Sequence, residues 1–186
     1  MKKLAVFGSG SGSNAENICV YFKDSKSFKV VVICTNKKNA FIVKRAKKLN
    51  IPIVYTSKSQ LNSFSCLKKT LLSYGVDYIV LAGFLLKIPP KMVLCYENKI
   101  INIHPSLLPK YGGKGMFGEN VHQAVLKNKE KESGITIHFV NQNYDEGKII
   151  LQKKCTISSD ETVYSLEKKI RSLELNYLPK TIEKYL

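Results

Sequence analysis

Apolar residues along this chain come in short unbroken blocks, and the blocks alternate with stretches of helical periodicity. Leu4 to Phe7 is the first block, and it ends in the turn Gly8-Ser9-Gly10-Ser11-Gly12-Ser13-Asn14. A helical pattern follows, with Ile18, Val20, Tyr21 and Phe22 as its apolar members. Phe28 to Cys34 reads as a buried, valine-rich strand, Ala40 to Leu49 has helical spacing, and Pro52 to Tyr55 is a short strand. A helix from about Leu61 to Tyr74 leads through Gly75 to the strand Tyr78 to Ala82. After Pro89-Pro90 come a short helix and the strand Ile100 to His104. Continuous apolar strands alternating with helices predict a parallel sheet covered on both faces. The second half breaks this rhythm. Gly134 to Val140 and Ile149 to Ile157 read as an antiparallel pair, followed by a long helix from Glu161 to about Tyr185 with Pro179 as a candidate break. The predicted fold is α/β: a mostly parallel twisted sheet with helices on both faces and antiparallel strands at one edge in the C-terminal half.

Composition narrows the class. A chain of 186 residues with 44% hydrophobic content buries about two-thirds of its unfolded surface, enough for one domain or two closely packed halves. No apolar run approaches the roughly 20 residues that span a bilayer. The start, Met1-Lys2-Lys3-Leu4, reaches glycine too soon for a signal-peptide core, so a cytoplasmic protein is expected. The five scattered cysteines, Cys19, Cys34, Cys66, Cys95 and Cys155, contain no CxxC, which fits reduced thiols rather than disulfides or a zinc site. The formal charge of +16 raises nucleic acid as a partner. Arginine, the usual bidentate reader of bases and phosphates, occurs only at Arg45 and Arg171. The lysines are spread along the chain, so the charge reads as a solvated basic surface that attracts anionic small molecules.

Two segments carry candidate chemistry. A glycine-rich turn that opens a helix presents backbone N–H groups and the helix dipole to an anion. The spacing fits neither the dinucleotide fingerprint nor the P-loop, because Ser13 stands at the third glycine position and no Lys-Ser or Lys-Thr follows. A plain tight turn capped by Ser13 or Asn14 fits it too. The second segment is Asn102-Ile103-His104-Pro105, at the carboxyl end of an apolar strand, where open α/β sheets bind ligands. Asn102 and His104 share a face of that strand, and together an amide and an imidazole can hold a developing oxyanion. Asp145, beside Gly147 in a loop between two strands, orients His104 if it lies near, and is otherwise turn chemistry. His138 suits either a supporting or a core role, and His122 reads as an ordinary helix-entry residue.

Together, Gly10-Ser11-Gly12-Ser13-Asn14, Leu81-Ala82-Gly83-Phe84, Asn102 to Tyr111, Gly134 to Val140, Asp145 to Gln152 and Glu174 resemble the folate-dependent formyltransferases. The string Asn102-Ile103-His104-Pro105-Ser106-Leu107-Leu108-Pro109 carries the resemblance to formyl transfer. The Gly-Ser-Asn loop narrows it to the glycinamide ribonucleotide branch. Methionyl-tRNA formyltransferases are similar but carry an added C-terminal domain, and formyltetrahydrofolate hydrolases an extra N-terminal one; neither addition is expected here. The resemblance implies one formyltransferase domain over residues 1–186, with a nucleotide-binding half at 1–104 and a half at 105–186 that completes the folate site. It implies 10-formyltetrahydrofolate as co-substrate and glycinamide ribonucleotide as acceptor. No metal, nucleic acid or membrane partner is implied, and the assembly is a monomer or homodimer.

By the same resemblance, Asn102, His104 and Asp145 match the catalytic trio. Gly12, Ser13 and Asn14 match the phosphate loop, Arg171 and Glu174 hold phosphate and ribose, and Gly83 and Pro105 join the substrate set. Leu85, Leu86, Lys87, Ile88, Val93, Val140, Asn141, Gln142, Asn143 and Tyr144, with Asn102 and Asp145, match the folate pocket. Three departures stand out. Leu86 replaces a common arginine, no arginine is available near residue 60 for the folate tail, and the loop from Gly112 to Asn120 is lengthened. That loop is expected either to be a mobile lid anchored by Met116 and Phe117 or to be permanently packed. The implied mechanism has the acceptor amine attack the formyl carbon while Asn102 and protonated His104 stabilise the oxyanion. His104 then acts as general acid, with Asp145 raising its pKa. Formyl transfer to another amine and a noncatalytic phosphate-binding module are the alternatives.

Overall fold

The structure, a computed structural model, describes residues 1–186. Seven strands form one mixed sheet in the order β3-β2-β1-β4-β5-β6-β7. It is mostly parallel, with its antiparallel strands at the C-terminal edge, as the block pattern predicts. The chain divides into two compact units, Met1–Ile101 together with Leu186, and Asn102–Tyr185.

The first unit holds β1 (Lys2–Phe7), α1 (Ser13–Tyr21), β2 (Phe28–Thr35), α2 (Phe41–Lys48), β3 (Ile53–Tyr55), α3 (Lys58–Ser63), α4 (Ser65–Ser73), β4 (Tyr78–Leu81) and α5 (Pro90–Cys95). β1 pairs in parallel with β2 and β4, and β2 with β3. Leu4, Ala5, Val6 and Phe7 are all buried without alternation, as a central parallel strand requires. The single helix predicted from about Leu61 to Tyr74 is two helices. Phe64 separates them in the left-handed region at φ 59°. The first starts earlier than periodicity suggests, at a capping box. The Gln60 N–H donates to Ser57 Oγ and the Ser57 N–H to Gln60 Oε1.

β5 (Ile100–His104) runs from the first unit into the second, which continues with α6 (Glu119–Lys127), β6 (Glu132–Phe139), β7 (Ile149–Thr156) and α7 (Val163–Tyr185). β6 and β7 pair antiparallel, with Thr136 opposite Gln152 and a register shift between Ile137 and His138. The break expected at Pro179 is absent. α7 runs through it, because Leu166, Ile170, Leu178 and Ile182 are buried on either side of the proline and tertiary packing outweighs the missing N–H. No helix is long and apolar enough to cross a membrane.

Candidate active site

In the second unit, the last turn of sequence in β5 meets the β6–β7 loop. Asn102 Nδ2 lies 3.1 Å from His138 Nε2 and 3.3 Å from Asp145 Oδ1. His104 Nδ1 lies 3.6 Å from Asp145 Oδ2. The other carboxylate oxygen, Oδ1, is 3.7 Å from His138 Nε2. Side chains from β5 and β6 thus converge on one carboxylate. Asp145 adopts φ 55°, a left-handed conformation that a short polar side chain tolerates better than most. The Gly113 N–H donates to its Oδ2 at 2.9 Å.

Hydrogen-bond partners assign the histidine tautomers. A carbonyl only accepts, so the 2.8 Å contact of His104 Nε2 with the Tyr111 carbonyl requires the hydrogen on Nε2. Nδ1 of the neutral ring is then a bare lone pair facing Asp145. His138 Nδ1 sits 2.8 Å from the Phe139 carbonyl, which places its hydrogen there and leaves Nε2 to accept from Asn102. Both Asn102 amide hydrogens are therefore engaged, one by His138 and one by Asp145.

Burial sets the charges. His104 is 4% exposed, and that desolvation pulls its pKa below the ordinary value against the upward pull of Asp145 and the Tyr111 carbonyl, while His138 adds to the lowering. The direction of that shift favours the neutral ring, whereas the resemblance implies a protonated one. Burial pushes the Asp145 carboxyl up. His138 and His104 beside it and the Gly113 N–H outweigh this, so Asp145 stays below the usual carboxylate range.

The surrounding turn is tied down by side chains that periodicity does not reveal. Thr136 Oγ1 donates to the Ser106 carbonyl at 2.7 Å and accepts from the Leu108 N–H and from Gln152 Nε2. Gln152 Nε2 also donates to the Leu108 carbonyl. Gly112 is required by close approach, since a Cβ there would meet Leu108 Cδ2 at 2.6 Å and Asp145 Cβ at 3.3 Å. His122 lies in the first turn of α6 but is buried, with Nδ1 lacking a hydrogen-bond partner. Burial lowers its pKa, Glu167 and Glu119 oppose this, and His104 lowers it further. All three histidines of the chain are thus buried in this unit.

The remaining site residues expected here are placed as follows. Pro105 is half-buried, Arg171 is exposed and Glu174 half-buried on α7. Val140 is half-buried, and Asn141, Gln142, Asn143 and Tyr144 are exposed in the loop before Asp145. In that loop the Asn143 N–H donates to Asn141 Oδ1 and Asn143 Nδ2 to Glu146 Oε2. In the lengthened segment, Met116 is half-buried, Phe117 is exposed, and the Met116 N–H and Asn120 Nδ2 donate to the carbonyls of Gly113 and Gly115.

The first unit contains the glycine turn. Gly12 is the N-cap of α1 at φ 75°, and a Cβ there would meet Ile42 at 2.6–2.7 Å. The turn is held by α2: the Ile42 N–H donates to the Gly10 carbonyl, Arg45 Nε donates to the Ser11 carbonyl at 3.0 Å, and Arg45 pairs with Glu16. Ser13 is half-buried and Asn14 buried in the first turn of α1. Ser9, which the sequence does not single out, is 2% exposed and links three strand-end loops. Its Oγ donates to Asn36 Oδ1 and accepts the Leu85 N–H, and its own N–H donates to the Gly83 carbonyl. Gly83, Leu85 and Lys87 are exposed and Leu86 half-buried, while Ile88 and Val93 are core side chains. No group of three or more His, Cys, Asp or Glu side chains is spaced to hold a metal ion.

The sheet of this order brings Asn102 and buried His104 from the end of β5 against Asp145 of the β6–β7 loop. The formyl transferase profile matches residues 2–182, and the chain belongs to the formyl transferase family. Among individual relatives, it is 42% identical to the chloroplastic phosphoribosylglycinamide formyltransferase of Arabidopsis thaliana over 91% of this chain and 60% of that protein. It is 35% identical to the phosphoribosylglycinamide formyltransferase of Bacillus subtilis over 100% of this chain and 95% of that one. The crystal structure of the Bacillus halodurans phosphoribosylglycinamide formyltransferase superposes with a TM-score of 0.89 at 32% identity, covering 98% of this chain and 94% of that chain. The chain spans 60% of the length of each of two plant relatives, from Arabidopsis thaliana and Vigna unguiculata.

Proposed function

We propose that this chain transfers the formyl group of 10-formyltetrahydrofolate to the amine of N1-(5-phosphoribosyl)glycinamide, giving formylglycinamide ribonucleotide and tetrahydrofolate in purine biosynthesis. The observation that carries the reading is the cluster of Asn102, buried His104 and Asp145, in a chain whose relatives bear the name phosphoribosylglycinamide formyltransferase. 10-Formyltetrahydrofolate supplies the electrophilic formyl carbon. The acceptor amine is itself the nucleophile, so the protein's task is to move protons and stabilise charge.

Neutral His104 accepts at Nδ1 the proton that the amine loses as its C–N bond forms. The imidazolium so created faces the Asp145 carboxylate at 3.6 Å and is stabilised by it. Asn102 turns one N–H to the tetrahedral oxyanion, giving up its longer contact, the 3.3 Å one with Asp145; one such donor contributes about 3–4 kcal/mol. His104 then returns the proton to the departing folate nitrogen as the second C–N bond breaks. In this reading Gly12, Ser13, Asn14, Gly83, Pro105, Arg171 and Glu174 bind the ribonucleotide. Leu85 to Ile88, Val93 and Val140 to Asp145 bind the folate, with backbone groups acting where side chains are core. Five free cysteines suit a reducing compartment such as the cytoplasm.

The test is direct. The purified protein is mixed with the formyl donor and, in turn, the ribonucleotide and other amines, and tetrahydrofolate release is followed. Release with the ribonucleotide alone is expected. Release only with another amine would reassign the acceptor, and none with any amine would leave a phosphate-binding module.

A further inference from the structure

The Tyr111 carbonyl that fixes the His104 tautomer is itself held in an uncommon conformation. It faces the ring because Tyr111 is left-handed, at φ 58°, a region that a bulky residue rarely adopts. Several contacts keep it there, Asn128 on the Tyr111 hydroxyl among them. The Tyr111 hydroxyl donates to Glu130 Oε1 at 2.9 Å, Lys110 Nζ donates to the same oxygen at 2.8 Å, and Ser106 Oγ donates to the Lys110 carbonyl at 2.7 Å. Glu130 lies between α6 and β6, and hydrogen bonds from Lys110 and Tyr111 hold its carboxyl below the usual range, so it accepts as a carboxylate.

We propose that Tyr111, braced by Glu130, is a positioning residue for the formyl transfer proposed above: it keeps the His104 hydrogen on Nε2 and so leaves Nδ1 to exchange the reaction's proton. The charged and titratable groups around the ring make such a brace necessary. Asp145 faces Nδ1 at 3.6 Å, and a carboxylate there favours a hydrogen on Nδ1, the tautomer that cannot accept a proton at that atom. His138 and, from α6, His122 also act on this ring electrostatically, and neither offers Nε2 an acceptor. The Tyr111 carbonyl alone does. Without the hydroxyl–carboxylate contact, Tyr111 relaxes toward ordinary backbone geometry and its carbonyl turns from the ring.

The experiment uses the full chain with ¹⁵N-labelled histidine, without substrate, at roughly pH 8, above the ordinary imidazole pKa. Long-range ¹H–¹⁵N spectra should show His104 of the unaltered protein protonated at Nε2. Tyr111→Phe and Glu130→Ala should show a mixture with the Nδ1–H form. Their kcat should fall by about tenfold, a fraction of a full general acid–base contribution, with KM little changed. Glu130→Gln, which still offers the hydroxyl an acceptor, should recover most of both. Variants that keep the original tautomer, whether or not they lose activity, would overturn the brace. A tautomer shift in a protein that transfers no formyl group would sink the functional reading and leave the brace standing.

Discussion

At the scale of single residues, the chemistry follows from which atoms are already claimed. Asn102 spends both amide hydrogens, His104 spends Nε2, and the one uncommitted nitrogen of His104 faces a carboxylate. In the proposed reaction this arrangement makes Nδ1 the proton carrier and Asp145 the group that stabilises it once charged. His104→Ala and Asp145→Asn should each lower kcat by roughly 100-fold or more under saturating substrates, with a much smaller change in the urea midpoint. Unaltered turnover in either variant would remove that residue from the mechanism. The pH dependence follows from the direction of the His104 shift. In the proposed reaction the active form is the neutral ring, and burial pulls its pKa below the ordinary imidazole value. kcat/KM should therefore be flat near neutrality and fall as pH drops through a value below 6.5. Asp145 pulls that pKa upward, so the residual activity of Asp145→Asn should fall off at a lower pH than that of the unaltered protein. An acid limb centred above the ordinary imidazole pKa would contradict a neutral resting ring.

At the scale of elements, each candidate loop depends on a neighbour. The glycine turn before α1 is held by α2, through Ile42 packed where a Cβ of Gly12 would stand and through Arg45 on the Ser11 carbonyl. One of the chain's two arginines thus braces backbone, and a guanidinium's fixed fork suits a carbonyl and a carboxylate at once. If this turn receives the ribonucleotide phosphate, Ser13→Asp should raise KM for the ribonucleotide well above any change in KM for the folate, by like-charge repulsion. Arg45→Ala should act in the same direction more mildly, by loosening the turn. Equal effects on both KM values would mean that the phosphate binds elsewhere. The 112–120 segment is tied to the site at its start, where the Gly113 N–H holds Asp145. Opening of this segment would therefore release a hydrogen bond to the Asp145 carboxylate.

At the scale of the whole molecule, a net charge of +16 acts on anions at a distance. Both proposed substrates are anionic, so kcat/KM should fall with added salt while kcat changes little, because the field is screened within about 10 Å at 0.1 M ionic strength. Measuring both at a series of ionic strengths checks this. Tight RNA or DNA binding near physiological salt would show instead that the basic surface serves nucleic acid. The lysines are spread over both units rather than gathered in one segment, which is the distribution expected of a field that steers small anions.

Local rules settle local matters, and the sequence alone determined them well. Unbroken apolar blocks such as Leu4–Phe7 announce strands buried on both faces, and the loss of alternation with helices after His104 announces the antiparallel edge, because burial is written directly into residue type. The Asn-x-His-Pro string likewise placed two polar groups on one side of a strand end, since strand geometry alternates with period two. Where an outcome depends on contacts between distant segments, periodicity carries no signal. Phe64 splits one predicted helix because its ring is buried at a left-handed residue, and α7 passes through Pro179 because the core holds both sides. Tertiary structure alone brought His138, Tyr111 and Gly113 to Asn102, His104 and Asp145, and buried the His104 ring so that its pKa is pulled down. Desolvation and hydrogen-bond partnership belong to the folded environment, and a residue's own identity fixes neither.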